Sequence, residues 1–488
     1  MIKFDNTYAT LAPKFFRRVM PTPVTAPRLI RFNEELAAEL GLDAEAWGSP
    51  DSAQIWSGNR VPAEAEPLAM AYAAHQFGQF VPQLGDGRAI LLGEIIDRQG
   101  RRRDIQLKGA GPTPFSRSGD GRAALGPVLR EYIVSEAMHA LGIPTTRALA
   151  AVVTGEPVYR ETVMPGAVLT RIAASHIRIG TFQFFAARGD TEGLKELADY
   201  VIDRHYPAVK SAENPYLALL DEVIGRQAGL VAQWMGVGFI HGVMNTDNMS
   251  VSGETIDFGP CAFMDDYDPH KVFSSIDRNG RYAYQNQPAI AQWNLARFAE
   301  TLLPLIDPDT DNAIAQATRS LEGFAGRYEE AWLAVMRRKT GLLTSREEDA
   351  ALFKWLLDLM HAGKADFTLT FRRLTLAASD EAGDAAIASL FENPADVADW
   401  VDAWRERQAL EPQSKQERVD LMAQANPAYI PRNHRIEEAI QAALAGDFQP
   451  FEMLNAILAR PFEEQPGHAA WQKPPEPDER VLKTFCGT

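Results

Sequence analysis

A strand-like run ending in Lys108, with a glycine turn on either side of its hairpin, constrains this chain more than any other feature. Leu84-Gly85-Asp86-Gly87-Arg88 is a turn, the apolar run Ala89–Ile96 follows, Asp97-Arg98-Gln99-Gly100 turns again, and Arg102–Lys108 is a second short run. Two such runs joined by a Gly-containing turn predict a β-hairpin. In the second run Ile105 and Leu107 alternate with Gln106 and Lys108, which puts Lys108 on the face opposite the apolar one. A Gly/Pro/Ser loop covers 109–122 and repeats Gly-Asp-Gly-Arg at 119–122. It leads into a helix with the apolar stripe Leu125, Val128, Leu129, Tyr132, Ile133 and Ala137, with Arg130, Glu131 and Glu136 off or beside the stripe. Gly142 and Pro144 end it.

Further along, apolar runs at 149–153 and 168–169 precede Thr170-Arg171 and a polar segment with His176 and Arg178. A long helical pattern over 217–239 leads into Ile240-His241-Gly242-Val243-Met244-Asn245-Thr246-Asp247-Asn248-Met249, then a turn and Thr255-Ile256-Asp257-Phe258-Gly259-Pro260. Beyond 290 helical patterns dominate, at 293–306, 321–336, 347–360, 396–409, 436–445 and 451–458, and the Pro-rich stretch 465–479 reads as surface chain. A β-rich half followed by a helical half implies an α+β fold.

Composition narrows the partners. The 488 residues carry 49 Lys+Arg against 65 Asp+Glu, a net charge of −16, which argues against broad electrostatic binding to nucleic acid or an anionic membrane. It leaves room for a small basic pocket. No segment has the ~18 uninterrupted apolar residues of a membrane span, and the N-terminus has neither a signal core nor an Arg-rich transit pattern. Two cysteines, Cys261 and Cys486, exclude a disulfide framework or a four-thiolate zinc site and fit a cytoplasmic protein.

The order of the motifs is that of a protein kinase: glycine turn, strand Lys, helix Glu, a loop with Asp-Asn, then Asp-Phe-Gly. Each part alone is weak evidence, since glycine turns, strand lysines and helix glutamates are mostly structural. Together they describe a nucleotide site. Glycine backbone can approach phosphates because no Cβ intervenes, a Lys needs a carboxylate to hold it, and a carboxylate with an amide oxygen suits Mg²⁺. One position departs from the pattern. Two residues after His241, where a kinase has its catalytic Asp, this chain has Val243, and Asp247 is the nearest carboxylate. The residues alone therefore leave open a different reaction or a catalytically silent protein.

The blocks Tyr72-Ala73-Ala74-His75-Gln76-Phe77-Gly78, Pro82 to Ala89, Leu107-Lys108-Gly109-Ala110-Gly111, Ser116 to Arg122, His241 to Met249 and Ile256 to Pro260 resemble the signature of the selenoprotein O (SelO/YdiU) family. Gly280 to Pro288 and Trp293-Asn294-Leu295-Ala296-Arg297 extend the resemblance, which runs from about residue 5 to the C-terminus. It implies a pseudokinase, a two-lobed protein-kinase-like fold that binds ATP in a flipped orientation and moves AMP onto Ser, Thr or Tyr hydroxyls of protein substrates (AMPylation). On that likeness 1–70 is an N-terminal extension, 71–160 the N-lobe, 161–310 the C-lobe and 311–488 a helical C-terminal region. The family pattern assigns nucleotide contacts to Gly85, Gly87, Arg88, Lys108, Asp120, Gly121, Arg171, Arg178 and Asp257. It makes Glu131 the residue that positions Lys108, Asn248 and Asp257 the ligands of Mg²⁺ (or Mn²⁺), and Asp247 the proton acceptor. The expected protein is an active, monomeric, cytoplasmic adenylyltransferase. The alternatives are transfer of UMP or of the γ-phosphate, or an inactive nucleotide-binding regulator. Cys486 stands where eukaryotic relatives carry selenocysteine, and Cys261 follows Asp-Phe-Gly-Pro, so the two are candidates for a redox pair tying the tail over the site.

Overall fold

The computed structural model describes residues 2–380 and 383–485. Its strands are β1 (Phe16–Arg18), β2 (Arg28–Phe32), β3 (Leu68–Met70), β4 (Ala74–Gln76), β5 (Gln79–Val81), β6 (Ala89–Ile96), β7 (Arg102–Lys108), β8 (Ala123–Ala124), β9 (Arg147–Tyr159), β10 (Val163–Ala173), β11 (Phe239–Ile240) and β12 (Ala262–Phe263). One eight-stranded sheet runs in the order β1-β3-β6-β7-β10-β9-β2, with β8 pairing β10. The pairs are antiparallel. The expected hairpin is β6–β7, with Ala89 opposite Lys108 and Ile96 opposite Arg102. The expected boundaries at 70/71 and 160/161 both fall inside this one sheet, because β1, β2 and β3 come from before the first and β10 from after the second.

The sheet is covered on both faces, and the pleat decides what each face sees. Ile90, Leu92, Ile105, Leu107, Leu149, Val152, Val168 and Ile172 pack against Leu36, Ala37 and Trp56 from the N-terminal segment. Leu91, Ala148, Ala151 and Leu169 point the other way, into the main core with Val128, Leu129, Tyr132 and Ile133 of the helix Leu125–Ala140. Lys108, one residue past Leu107, is thereby turned toward that helix. A second layer, almost wholly helical, follows: Ile179–Ala186, Thr191–His205, Pro215–Gly236, Gln287–Ile306 and Thr310–Thr340, then the helices up to Gln449–Leu458. Several match the expected patterns closely. The helices Ile179–Ala186, Thr191–His205 and Phe367–Ser379 were outside them. The described C-terminus runs beside the 273–275 segment: Thr484 N donates to Phe273 O at 2.8 Å, and Thr484 O accepts from Ser275 N at 3.0 Å. No helix among the described residues is long and apolar enough to cross a membrane.

Candidate active site

Register on two strands and one helix builds the centre of the site. On β7 and β10, Gln106 lies opposite Arg171 and Lys108 opposite Leu169, so Lys108 and Arg171 share a face that looks at the helix Leu125–Ala140. That helix presents Glu131. Lys108 Nζ donates to Glu131 Oε2 at 2.6 Å and Arg171 Nε to Glu131 Oε1 at 2.5 Å. Glu131 is only 2% exposed, so this is a desolvated anchor and not a surface ion pair. Burial opposes its charge, yet Arg171 and Lys108 hold its carboxyl below the usual range. Burial and the neighbouring Arg171 pull Lys108 below the ordinary lysine value.

Asp257 closes the cluster from the other side. Arg171 reaches its Oδ1 at 2.5 Å, Lys108 the same oxygen at 3.5 Å, and Arg178 its Oδ2 at 2.9 Å. Burial works against the Asp257 charge, but Arg171, Arg178 and Lys108 together keep the group well below the usual carboxylate range. Its backbone sits at φ +65°, a left-handed conformation that costs a non-glycine residue about 1–2 kcal/mol. Arg178 also donates to Asp247 O at 2.7 Å and lies over the Tyr72 ring at 4.8 Å.

The loop after β11 supplies Asp247 and Asn248. His241 Nε2 meets Ile256 O at 2.9 Å, and Thr246 Oγ1 donates to Gln183 at 2.6 Å, which fixes the loop from both sides. Asp247 Oδ2 accepts from Gln76 Nε2 at 3.2 Å, while its Oδ1, though buried, has no hydrogen-bond partner among the described residues. Burial, partly offset by Arg178, pushes Asp247 up to about 6. It is therefore largely ionised at neutral pH yet close to proton uptake. Asn248 Nδ2 donates to Val243 O at 2.9 Å, which leaves Oδ1 as the remaining acceptor of that amide.

The two glycine turns form one unit. Thr113 Oγ1 donates to Asp86 O at 2.6 Å, and Ser116 Oγ to Gly87 O. Gly85 has φ +114°, and a Cβ there would lie 2.5 Å from the Phe115 ring; at Gly121, φ +65°, it would lie 2.1 Å from Gly111. Glycine is required at both places. Asp120 carries a bidentate bond from Arg160, at 2.8 and 3.0 Å. These turns, Arg88, Lys108, Asp120, Arg171, Arg178, Asp247, Asn248 and Asp257 line one cleft of about 800 Å³. Every expected nucleotide, metal and base residue thus lies on a single cavity, with Glu131 directly behind it.

Sequence reasoning missed Asp86, Gln76 and Arg160. Asp86, inside the first glycine turn, is 2% exposed and accepts from Met70 N at 3.1 Å and Gln106 Nε2 at 3.3 Å. The turn motif gives no sign that its carboxylate points inward. His75 meets Gln183 at 2.7 Å and His176 meets Asp104 at 2.9 Å, both as hydrogen-bonding residues. Among the described residues no cluster of three or more His, Cys, Asp or Glu could hold a metal. Asn248 and Asp257 are two oxygen donors, a set that suits Mg²⁺ or Mn²⁺ when phosphates and waters complete the shell. Cys261 is buried, its thiol pushed up to about 12 by burial, and Cys486 lies outside the described residues.

Comparison with known proteins bears on what the cleft does. The family model described as "Protein adenylyltransferase SelO" matches residues 1–459. A protein of Rhizobium meliloti (strain 1021) named "Protein nucleotidyltransferase YdiU" is 66% identical over 487 residues, covering 100% of this chain and 99% of its own. Proteins of the same name are 65% identical in Rhizobium rhizogenes (strain K84), over 100% of this chain and 97% of theirs, and 64% identical in Bradyrhizobium sp. (strain BTAi1), over 99% of each.

Proposed function

The chain belongs to the SelO family of adenylyltransferases and is a nucleotidyltransferase, and from that premise we propose that it transfers AMP from ATP to Ser, Thr or Tyr hydroxyls of proteins, releasing pyrophosphate. The observation that carries this reading is the convergence of three buried cations, Lys108, Arg171 and Arg178, on one wall of the cleft, with Asp247 facing the same cavity. A kinase site steadies the phosphates whose terminal group it transfers with one strand Lys and metal ions. Three cations, two of them guanidiniums able to clamp phosphate bidentately, suit a site that holds the β- and γ-phosphates as the leaving group.

In this mechanism the target hydroxyl oxygen attacks the α-phosphorus. The bond from that phosphorus to the β-bridging oxygen breaks, and its electrons leave with pyrophosphate. The hydroxyl proton passes to Asp247, whose unpartnered Oδ1 is the acceptor. Lys108, Arg171 and Arg178 stabilise the charge that grows on the leaving group, and Glu131 keeps the first two from swinging away. Gly85, Gly87 and Gly121 let backbone approach the nucleotide. A Mg²⁺ or Mn²⁺ held by Asn248 and Asp257 would add positive charge at the phosphates. The sheet-then-helix order and the kinase-like sequence of parts support a two-lobed pseudokinase arrangement with ATP reversed in the cleft.

Incubation with α-³²P-ATP and, separately, γ-³²P-ATP tests the proposal. Protein-bound label from the α position alone is the expected result. Label from γ alone would mean phosphoryl transfer, and ATP binding without any label would mean a silent regulator. Preferential incorporation from α-³²P-UTP would make UMP the transferred group.

A further inference from the structure

Strands β9 and β10 are 13 and 11 residues long, and their far ends leave the core: Gly155, Pro157, Tyr159, Val163 and Pro165 are exposed. Tyr159 is 70% exposed and Val163 65%, and Val158 alone is buried among the apolar side chains there, so apolar burial explains little of why the hairpin extends this far. The extension carries Arg160 to the second glycine turn. Arg160 donates to Asp120 Oδ2 at 2.8 Å, to Asp120 Oδ1 at 3.0 Å and to Arg122 O at 3.0 Å. Its two terminal nitrogens thus grip the side chain at one end of the Asp120-Gly121-Arg122 turn and the carbonyl at the other.

The turn needs such a grip. Arg117 and Ser118 both hold left-handed backbone at φ +49° and +71°, an uphill conformation for residues with a Cβ. On its near side the segment is tied to the first glycine turn through Ser116 and Thr113. On its far side Arg160 is matched by Arg122, which donates to Thr22 O at 3.0 Å and Pro23 O at 3.2 Å. An unneutralised Asp120 beside a polyphosphate would also repel it, and a bidentate guanidinium removes that charge.

We propose that Arg160 is a positioning residue for nucleotide binding, acting through Asp120 to hold the second glycine turn over the cleft. The inference rests on the reading of the cleft as a nucleotide site. The hairpin tip is a strut. Because Arg160 works through Asp120, removing either partner releases the same turn.

The test measures affinity of the full chain for a fluorescent ATP analogue in wild type, Arg160→Ala, Arg160→Lys, Asp120→Ala, the Arg160→Ala/Asp120→Ala double variant and Lys108→Ala, with KM for ATP and kcat for transfer measured alongside. Arg160→Ala is expected to weaken binding about fivefold to tenfold and raise KM to match, with kcat within about twofold. Arg160→Lys fails to restore affinity, because one ammonium nitrogen cannot replace the two guanidinium nitrogens that hold the Asp120 carboxylate and the Arg122 carbonyl together. The double variant is no weaker than the weaker single. Wild-type affinity in Arg160→Ala, or a double variant whose loss is the product of the two single losses, overturns the inference. If Lys108→Ala also binds as tightly as wild type, the nucleotide reading itself fails; if only Lys108→Ala loses affinity, the failure belongs to Arg160 alone.

Discussion

Replacing Asp257 with Asn keeps the shape of the side chain and removes a partly exposed charge that faces buried cations. The consequence follows from the three cations around it. Arg171 at 2.5 Å, Arg178 at 2.9 Å and Lys108 at 3.5 Å all lean on this carboxylate. Lys108 and Arg171 retain Glu131, but Arg178 keeps a distant Asp86 oxygen at 3.8 Å, the Asp247 carbonyl and the face of the Tyr72 ring, with no close carboxylate. Breaking a buried ion pair by removing one partner costs about 3–5 kcal/mol, since the other charge is left desolvated. With an unfolding entropy of about 2.1 cal/mol/K per residue, a chain of this length loses roughly 1 K for each kcal/mol. Asp257→Asn should therefore lower Tm by about 3–5 K in scanning calorimetry. The sign with pH is defined. The folded-state carboxyl is held below its ordinary value, so its contribution is complete above that ordinary value and disappears only as the pH falls through the lowered one. The deficit persists across neutral pH and closes in strong acid. Pyrophosphate should repair it, because the anion supplies the missing charge: at saturation it should raise Tm more in the variant than in wild type. An unchanged Tm, or equal stabilisation of both proteins by pyrophosphate, would refute the reasoning that Asp257 neutralises the cations proposed to bind phosphate.

Other substitutions separate chemistry from packing. Asp247→Asn should cut the proposed AMP transfer by a factor of about 10² or more while leaving affinity for the ATP analogue within about twofold, since the proposed role of Asp247 is to take the hydroxyl proton; comparable losses in both would deny it the role of base. Lys339 is 2% exposed and lies between Phe371 and Phe367, with its ammonium 4.2 and 5.6 Å from the rings, and burial lowers it to about 7. Folding therefore favours its neutral form, so the penalty is complete below about 7 and is relieved as pH rises toward the ordinary lysine value. Lys339→Met should stabilise by about 2–4 kcal/mol at pH 6 in denaturant titrations and by little at pH 10, the cation–π contacts keeping the gain below the full desolvation cost; a gain independent of pH would rule this out. The proposed Cys261–Cys486 pair predicts that reductant changes both transfer activity and mobility on a non-reducing gel. Thr484 Oγ1 donates to Pro260 O at 2.5 Å, which brings the tail to within two residues of Cys486 beside the residue before Cys261. Identical mobility and activity in both redox states would dismiss the pair.

Much of the site was legible because it depends on local rules. Period-two alternation around Lys108 says which way that side chain faces, the stripe through Tyr132 says which way Glu131 does not, and Asp247-Asn248 and Asp257 sit one short turn apart. A lone strand Lys and a lone helix Glu look solvated by that same logic. They became a buried pair because the sheet is covered on both faces, and local sequence does not show what covers a strand. β1, β2 and β3 escaped sequence reading for a related reason: they are three to five residues long and gain their stability from neighbours on the sheet, not from their own pattern.

The sequence by itself determined the order of the parts: hairpin, Lys-bearing strand, Glu-bearing helix, Asp-Asn loop and Asp-Phe-Gly, with glycine at the two turns, Gly85 and Gly121, where a Cβ would collide. Which charges meet was decided only in three dimensions. Arg171 and Arg178 converge on Asp257 across 86 and 79 residues, Arg160 reaches Asp120 across 40, and Asp86 turns inward to Met70 and Gln106. Hydrophobic periodicity is a property of neighbours along the chain. The pairing of buried charges depends on which strands and loops come together, and that is settled by packing.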